Sequence, residues 1–215
     1  MIDVRSFTVG PIQENCYIVR RPDATSAVIV DPGDEAAKLL EAIAVLGIDA
    51  LDAILLTHCH FDHVGAVKAV HDATGAPVWC PVLETEMLAN INAYAFPGFG
   101  PFENYDADHT LAGGESLEMA GITFDVRFTP GHSPGHLTYA VRDEGTLLSG
   151  DVLFQGSVGR TDLPGGDWPT LRASIESLIS EFPAETRVYP GHMGATTLGQ
   201  ERTTNPFLRE LAQRS

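Results

Sequence analysis

Short apolar runs recur along the chain, and each stops at a cluster of Gly, Pro, Asp or His. CYIV (16–19) leads into RRPD, AVIV (27–30) into DPGD, AILL (53–56) into THCH, and ITFDVRF (122–128) into TPGH. TLLSGD (146–151) and RVYPGH (187–192) repeat the form. Runs of this length bounded by turn residues read as strands. Between them, residues 34–46 put Leu39, Leu40, Ile43 and Leu46 on one helical face, and residues 169–182 align Leu171, Ile175, Leu178, Ile179 and Phe182 behind Pro169. A single apolar stripe on each helix predicts packing onto a sheet from outside. Strands and helices intermixed in both halves predict a layered α/β protein. The side chains able to do chemistry collect at the strand ends, where loops held by a rigid sheet commonly carry a site.

No long linker or low-complexity tract divides the 215 residues, so a single domain over 1–215 is expected. A faint echo between AVIVDPGD and TLLSGDVL suits either two related halves or two ordinary strand-loop units. A formal net charge of −16 repels phosphate backbones and anionic bilayers, and the basic residues form no patch. Neither nucleic acid nor membrane is therefore an expected partner. The opening MIDVRSFTVG lacks the apolar core of an export signal and no run approaches bilayer length, which predicts a cytoplasmic protein. Cys16, Cys59 and Cys80, odd in number and far apart, suit reduced thiols rather than a disulfide framework.

Residues 55–66, LLTHCHFDHVGA, change the picture. With eight His and fifteen Asp in the chain, H-x-H-x-D-H would arise by composition in roughly one such chain per thousand. In an extended segment His58 and His60 share a side and can grip one ion while Cys59 points away. Asp62 and His63, after the chain bends into a helix, can face a second ion. Further ligands are expected where other strands end: His132 in TPGHSPGH, Asp151 in LLSGD and His192 in YPGH. Seven ligands make a dinuclear site, with the two oxygens of Asp151 as the natural bridge. Imidazole and carboxylate donors suit zinc, with iron or manganese as alternatives.

Other residues have two readings. Asp31 in IVDPGD either accepts a hydrogen bond from a ligand histidine or starts the turn before Pro32. His136 either supports the ligands or packs in the core. His71 and His109 sit in no strand-end turn and are expected to be solvated or bonded to nearby backbone.

The set VDPGD, THCHFDH, TPGHSPGH, SGD and PGH resembles the metallo-β-lactamase superfamily over nearly the whole chain. The resemblance implies an αββα four-layer sandwich of two mixed β-sheets flanked by helices. It also implies that His58, His60 and His132 hold one ion, Asp62, His63 and His192 the other, with Asp151 shared. LFQGSVGRTDLPGGD (153–167) and PGHMGATTLGQERTTNPFL (190–208) are similar to the short glyoxalase II-like hydrolases, which cleave thioesters. Only 23 residues follow His192, so the helical region that helps hold glutathione in longer members is not expected, and the thiol carrier stays open. Met193 departs from the small residue that often follows the last motif histidine.

Two cations flanking a water lower its pKa from about 15.7 to near neutrality, which makes hydroxide available without a Ser or Cys nucleophile. Asp62 and Asp151 are the expected catalytic carboxylates, and a small-molecule thioester such as S-lactoylglutathione the expected substrate. The stretch YAFPGFGPFENY (94–105) concentrates five of the seventeen aromatics; Tyr94, Phe99 and Tyr105 are candidates to wall a pocket, or the loop packs on the body or on another subunit. Arg160 could meet a substrate carboxylate or pair with Asp162. Two rival functions use the same residues. One is a mononuclear iron oxygenase resembling persulfide dioxygenase, with His58, His132 and Asp151 as its ligand face; the other is a metal-binding scaffold without turnover. Lactam cleavage is disfavoured by the missing export signal and nuclease action by the charge. The sequence does not specify an oligomeric state.

Overall fold

The computed structural model describes residues 1–208; residues 209–215, the end of the expected domain, lie outside the described residues. The first sheet is built from β1 (Asp3–Val9), β2 (Glu14–Arg20), β3 (Ser26–Val30), β4 (Ala50–Leu55), β5 (Val78–Pro81) and β6 (His109–Leu111), paired in sequence order. Pairs β1/β2 and β2/β3 are antiparallel, and β3 to β6 run parallel. The second sheet has β7 (Ser116–Met119), β8 (Ile122–Phe128), β9 (Leu137–Val141), β10 (Thr146–Gly150), β13 (Arg187–Pro190) and β14 (Thr196–Thr197), with β10 and β13 parallel and the other pairs antiparallel. A short ribbon of β11 (Leu153–Phe154) and β12 (Ser157–Val158) stands apart.

Strand alternation assigns side chains to layers. Val19, Val28, Val30, Ala53 and Leu55 of the first sheet pack against Ile122, Phe124, Val126, Tyr139 and Leu148 of the second, forming the core between sheets. Their sequence neighbours Ile18, Ile29 and Ile54 point the other way, onto Leu39 and Ile43 of helix α1 (Ala36–Val45) and onto Val64, Val67 and Val70. Val64 ends α2 (Phe61–Val64), and Val67 and Val70 lie on α3 (Val67–Thr74). Short helices α4 (Thr85–Ala89) and α5 (Ile91–Tyr94) follow. On the second sheet's outer face, Ala140, Leu147 and Val188 meet Leu171, Ile175 and Leu178 of α6 (Trp168–Glu181). That helix starts where Asp167 accepts from the Thr170 amide at 2.9 Å, with Pro169 in its first turn. Helix α7 (Leu198–Thr204) and a 3-10 turn at Pro206–Leu208 complete the described chain.

The result is the αββα sandwich that the sequence resemblance implies. Continuous apolar runs in β2 to β4 produce it, because alternate side chains of each run go to opposite faces and both faces are buried. Among the described residues, no helix is long and apolar enough to cross a membrane.

Candidate metal centre

The loops that leave the carboxyl ends of β4, β8, β10 and β13 meet at one edge of the sandwich. The first carries His58 and His60 and turns into α2, which presents Asp62 and His63; the others present His132, Asp151 and His192. One ring nitrogen each from His58, His60 and His132 lies within 4.8 Å of the other two, and so does one donor atom each from Asp62, His63 and His192. Asp151 stands between these triplets. Its Oδ2 is 3.4 Å from His132 Nε2 and 3.5 Å from His192 Nε2, and its Oδ1 is 3.4 Å from His63 Nε2. All seven residues singled out from the sequence are thus brought into one cluster.

Glycine permits the approach of backbone to this cluster. A Cβ on Gly191 would lie 2.2 Å from Asp151 Oδ1 and 2.6 Å from His63 Cε1. A Cβ on Gly150, which has a left-handed φ of 47°, would lie 2.4 Å from Thr57 Oγ1. These contacts explain the Gly in the SGD and PGH turns.

The far edges of the histidines fix their tautomers. His132 Nδ1 donates to the Arg160 carbonyl at 2.8 Å, which leaves Nε2 as a lone pair facing the cluster. Thr57 Oγ1 donates to Asp31 Oδ2 at 2.6 Å, so its 3.0 Å contact with His58 Nδ1 is accepted from the ring. His63 Nδ1 donates to the same Asp31 oxygen at 3.0 Å. His58 Nε2, His63 Nε2 and Asp151 Oδ1 are then buried without a hydrogen-bond partner. Buried polar atoms are normally satisfied, and three orphans turned into one cluster fit bound cations. His60 Nδ1 and His132 Nε2, only 2.8 Å apart, need a cation or proton to relieve the repulsion of two lone pairs.

Asp31 also lies close enough to His58 and His63 to form a third ligand group. Its oxygens are committed, because Oδ1 accepts from the Thr57 amide at 2.7 Å and Oδ2 from Thr57 and His63. We therefore read it as an orienting partner, held at a left-handed φ of 50° that Asp tolerates. His136 Nε2 accepts from the Asp151 amide at 3.0 Å, and its Nδ1 contacts Thr129 Oγ1 at 3.1 Å.

Electrostatics divide the cluster. Burial, reinforced by neighbouring imidazoles, pushes His58 well below its usual value and His60 down to about 3. Burial also lowers His136. Burial opposes charge on His63 and His192 too, yet the carboxylates of Asp151 and Asp62 raise both. For Asp151 and Asp62, burial works against ionisation but the facing histidines win and keep them anionic. Neutral imidazoles and ionised carboxylates are the states that ligate metals.

The substrate-side expectations divide. A cavity of about 830 Å³ opens over the cluster, and Tyr94 and Arg160 line it, as does Phe96. Phe99 and Tyr105 do not, which corrects their candidacy. Phe99 packs against Phe61 with tilted rings, centroids 5.0 Å apart, and Tyr105 Oη reaches Asp108 and His71 on the body. The aromatic loop thus walls the cavity with its first part and packs on the body with its last. Arg160 makes a bidentate pair with Asp162, both contacts at 2.7 Å. Cys59 turns into the core, its Sγ 3.4 Å from that of Cys80. His71 Nδ1 bonds the Ala76 carbonyl and His109 stacks on Trp79.

Four supporting residues escaped the sequence reading, Thr57 among them. Glu84, buried, accepts from the Cys59 and Gly135 amides at 2.6 and 2.9 Å and from Ser133 Oγ, tying the His58–His60 loop to the His132 loop. Burial raises its pKa despite these donors. Asn15 Nδ2 donates to the carbonyls of Pro190 and Met193, anchoring the His192 turn to the first sheet. Glu14, buried 3.8 Å from His63 Nδ1, is raised by burial even though His63 draws it down. Neither glutamate stands in a motif; only Thr57, next to His58, carried a positional signal.

The sequence profile of the metallo-beta-lactamase superfamily matches residues 9–192. The chain is 40% identical over 209 residues to the "Probable metallo-hydrolase YqgX" of Bacillus subtilis, covering 95% of this chain and 96% of that one. It is 36% identical over 211 residues to "Hydroxyacylglutathione hydrolase GloC" of Haemophilus influenzae, covering 96% and 98%. Among solved structures, BLEG-1 B3 metallo-beta-lactamase superposes with a TM-score of 0.90 at 44% identity, covering 97% of this chain and 99% of that one. TTHA1623 in a di-iron-bound form superposes with a TM-score of 0.79 at 44% identity, covering 95% and 100%. Fold, full-length similarity and the matched profile together make this chain a member of the metallo-beta-lactamase superfamily, an enzyme family of metal-dependent hydrolases.

Proposed function

We propose that this protein acts as one domain to hydrolyse a small thioester, using two divalent ions. His58, His60 and His132 hold one ion, Asp62, His63 and His192 the other, and Asp151 is shared. The observation that carries the reading is the position of Asp151, with an oxygen within 3.5 Å of a donor atom of each triplet. Bound ions supply a Lewis acid for the carbonyl and acidify a water. The chain's own contribution is to hold ligand tautomers through Thr57, Asp31 and the Arg160 carbonyl, and to seat the substrate in the cavity. Apart from the cluster, the titratable groups lining that cavity among the described residues are Tyr94 and Arg160. A thiolate, with a pKa of about 8.5, departs without a strong general acid, and so suits a site poor in proton donors. The GloC relative supports this substrate class.

Zinc is the expected ion and iron its competitor, given the di-iron form of TTHA1623. The test is metal content of protein purified without added ions, followed by thiol release from S-lactoylglutathione and related thioesters. Two ions per chain with thiol release are expected. One iron per chain with oxygen uptake would overturn the reading in favour of an oxygenase. The BLEG-1 similarity favours a second reading, lactam cleavage by the same floor; turnover of a β-lactam with no turnover of thioesters would establish it.

A further inference from the structure

Resting on the thioesterase reading for its kinetic test, we infer that Glu201 and Asn205 are positioning residues for the substrate: they clamp the ribbon that forms one wall of the cavity, without lining the cavity themselves. The ribbon of β11 and β12 pairs with neither main sheet, and two residues per strand give it little stability of its own. It nonetheless carries Phe154, Ser157 and Val158 into the wall. Its two ends are fixed at the cluster, since Asp151 precedes it and the Arg160 carbonyl that follows it accepts from His132 Nδ1 at 2.8 Å. Its tip is fixed from the far side, by α7 and the residue that ends it. Glu201 Oε2 accepts from the Gly156 amide at 2.8 Å, and Asn205 Nδ2 donates to the Ser157 carbonyl at 2.9 Å.

The clamp closes on itself. Asn205 Nδ2 also donates to Glu201 Oε2 at 2.9 Å, Asn205 Oδ1 accepts from the Phe207 amide at 3.0 Å, and Glu201 Oε1 accepts from Thr196 Oγ1 at 2.6 Å. Thr196 lies in β14, four residues past His192, so the ribbon tip is tied to the segment that carries a candidate ligand. Both Glu201 and Asn205 are buried. The donors to Glu201 are an amide N–H, a hydroxyl and a carboxamide from three segments, and a buried carboxylate satisfied in this way orders those segments relative to one another. Without the clamp, residues 154–158 can shift while Asp151 and Arg160 stay anchored. Substrate binding is then weakened with the ligand set undisturbed.

Asn205→Asp turns the donor into an acceptor facing the Ser157 carbonyl and Glu201 Oε2. In the metal-loaded full chain, KM for S-lactoylglutathione is expected to rise about fivefold or more, with kcat within about twofold and both ions retained. Amide hydrogen exchange over residues 153–158 is expected to quicken about tenfold or more while that over 55–66 stays unchanged. Asn205→Ala removes the carboxamide without adding charge and is expected to show the same split at smaller size, which keeps the inference falsifiable should Asn205→Asp not fold. Glu201→Gln keeps an oxygen for Gly156 and Asn205 and offers Thr196 Oγ1 an N–H to accept, so its KM is expected within about twofold of the parent chain. A lower Tm with KM unchanged in both Asn205 variants would mean a role in stability alone and overturns the inference. A fall in kcat in step with metal loss overturns it too, by assigning the clamp to the ligands. Unchanged exchange overturns the clamp itself. No thiol release from the parent chain with both ions bound overturns the thioesterase reading, and the exchange comparison then decides the clamp on its own.

Discussion

On the floor of the site, Thr57 holds the outer ring nitrogen of His58, Asp31 that of His63 and the Arg160 carbonyl that of His132, and every one of these contacts is buried or nearly so. On the walls, Tyr94, Phe96 and Met193 are 45%, 37% and 57% exposed. The floor is tightly held, since His58, His63 and His132 each answer to a second residue and Thr57 in turn donates to Asp31. The walls are mainly apolar surface, with Gln13, Tyr94, Ser157 and Arg160 as their polar groups. Changes on the floor should therefore act on metal binding and chemistry together, while changes on the walls should act on substrate choice.

The largest effect is expected at Asp151. Asp151→Asn removes the anionic oxygen that reaches both triplets, and kcat should fall by about a thousandfold or more with loss of one ion per chain, measured by steady-state kinetics and metal analysis. Retention of both ions and most activity would break the distinction between floor and wall at its centre.

Asp31→Asn comes next. Asn tolerates the left-handed backbone of Asp31 but offers His63 a neutral acceptor, so metal affinity should drop by about 10- to 100-fold in a chelator competition while the fold persists by circular dichroism.

The metal-free protein should show the floor's electrostatics as a stability maximum near pH 6.5. Burial and neighbouring imidazoles hold folded His60 at about 3 and His58 well below 6.5, whereas both titrate near 6.5 when unfolded. The unfolded chain therefore takes up more protons as pH falls below 6.5, and stability is lost toward pH 3. Against the opposition of burial, Asp151 and Asp62 raise His63 and His192, whose contribution is complete below 6.5 and is lost as pH rises through their folded values. Thermal unfolding in chelator from pH 4 to 9 checks both limbs; a Tm flat across that range would contradict the charge division.

The smallest effect is expected on the wall. Phe96→Ala should raise KM by a few-fold with kcat nearly unchanged, because it removes binding common to ground and transition states. A large fall in kcat instead would show that the wall also positions the reacting carbonyl.

Much of the floor was legible in the chain itself. His58, His60, Asp62 and His63 lie in one short stretch, and His132, Asp151 and His192 each follow an apolar strand through a Gly turn, so residue type and strand-end position identified them together. Glu84 and Glu14 were not legible. Their weight comes from burial beside loops 25 and more residues away, as in the Glu84 bond to the Cys59 amide, and no local pattern marks such proximity. Phe99 and Tyr105 failed for a related reason, since composition shows that a loop is aromatic but not which side of it faces a cavity.

Sequence by itself determined the continuous apolar runs that let strands bury both faces, and the donor set that metal chemistry requires, because both depend on residue type at short spacing. Only the tertiary structure decided which lone pairs face the cluster, that both Asp31 oxygens are committed to Thr57 and His63, and that Arg160 on the wall pairs with Asp162. Those properties are set by distances of a few ångströms between segments remote in the chain, and folding alone brings such segments together.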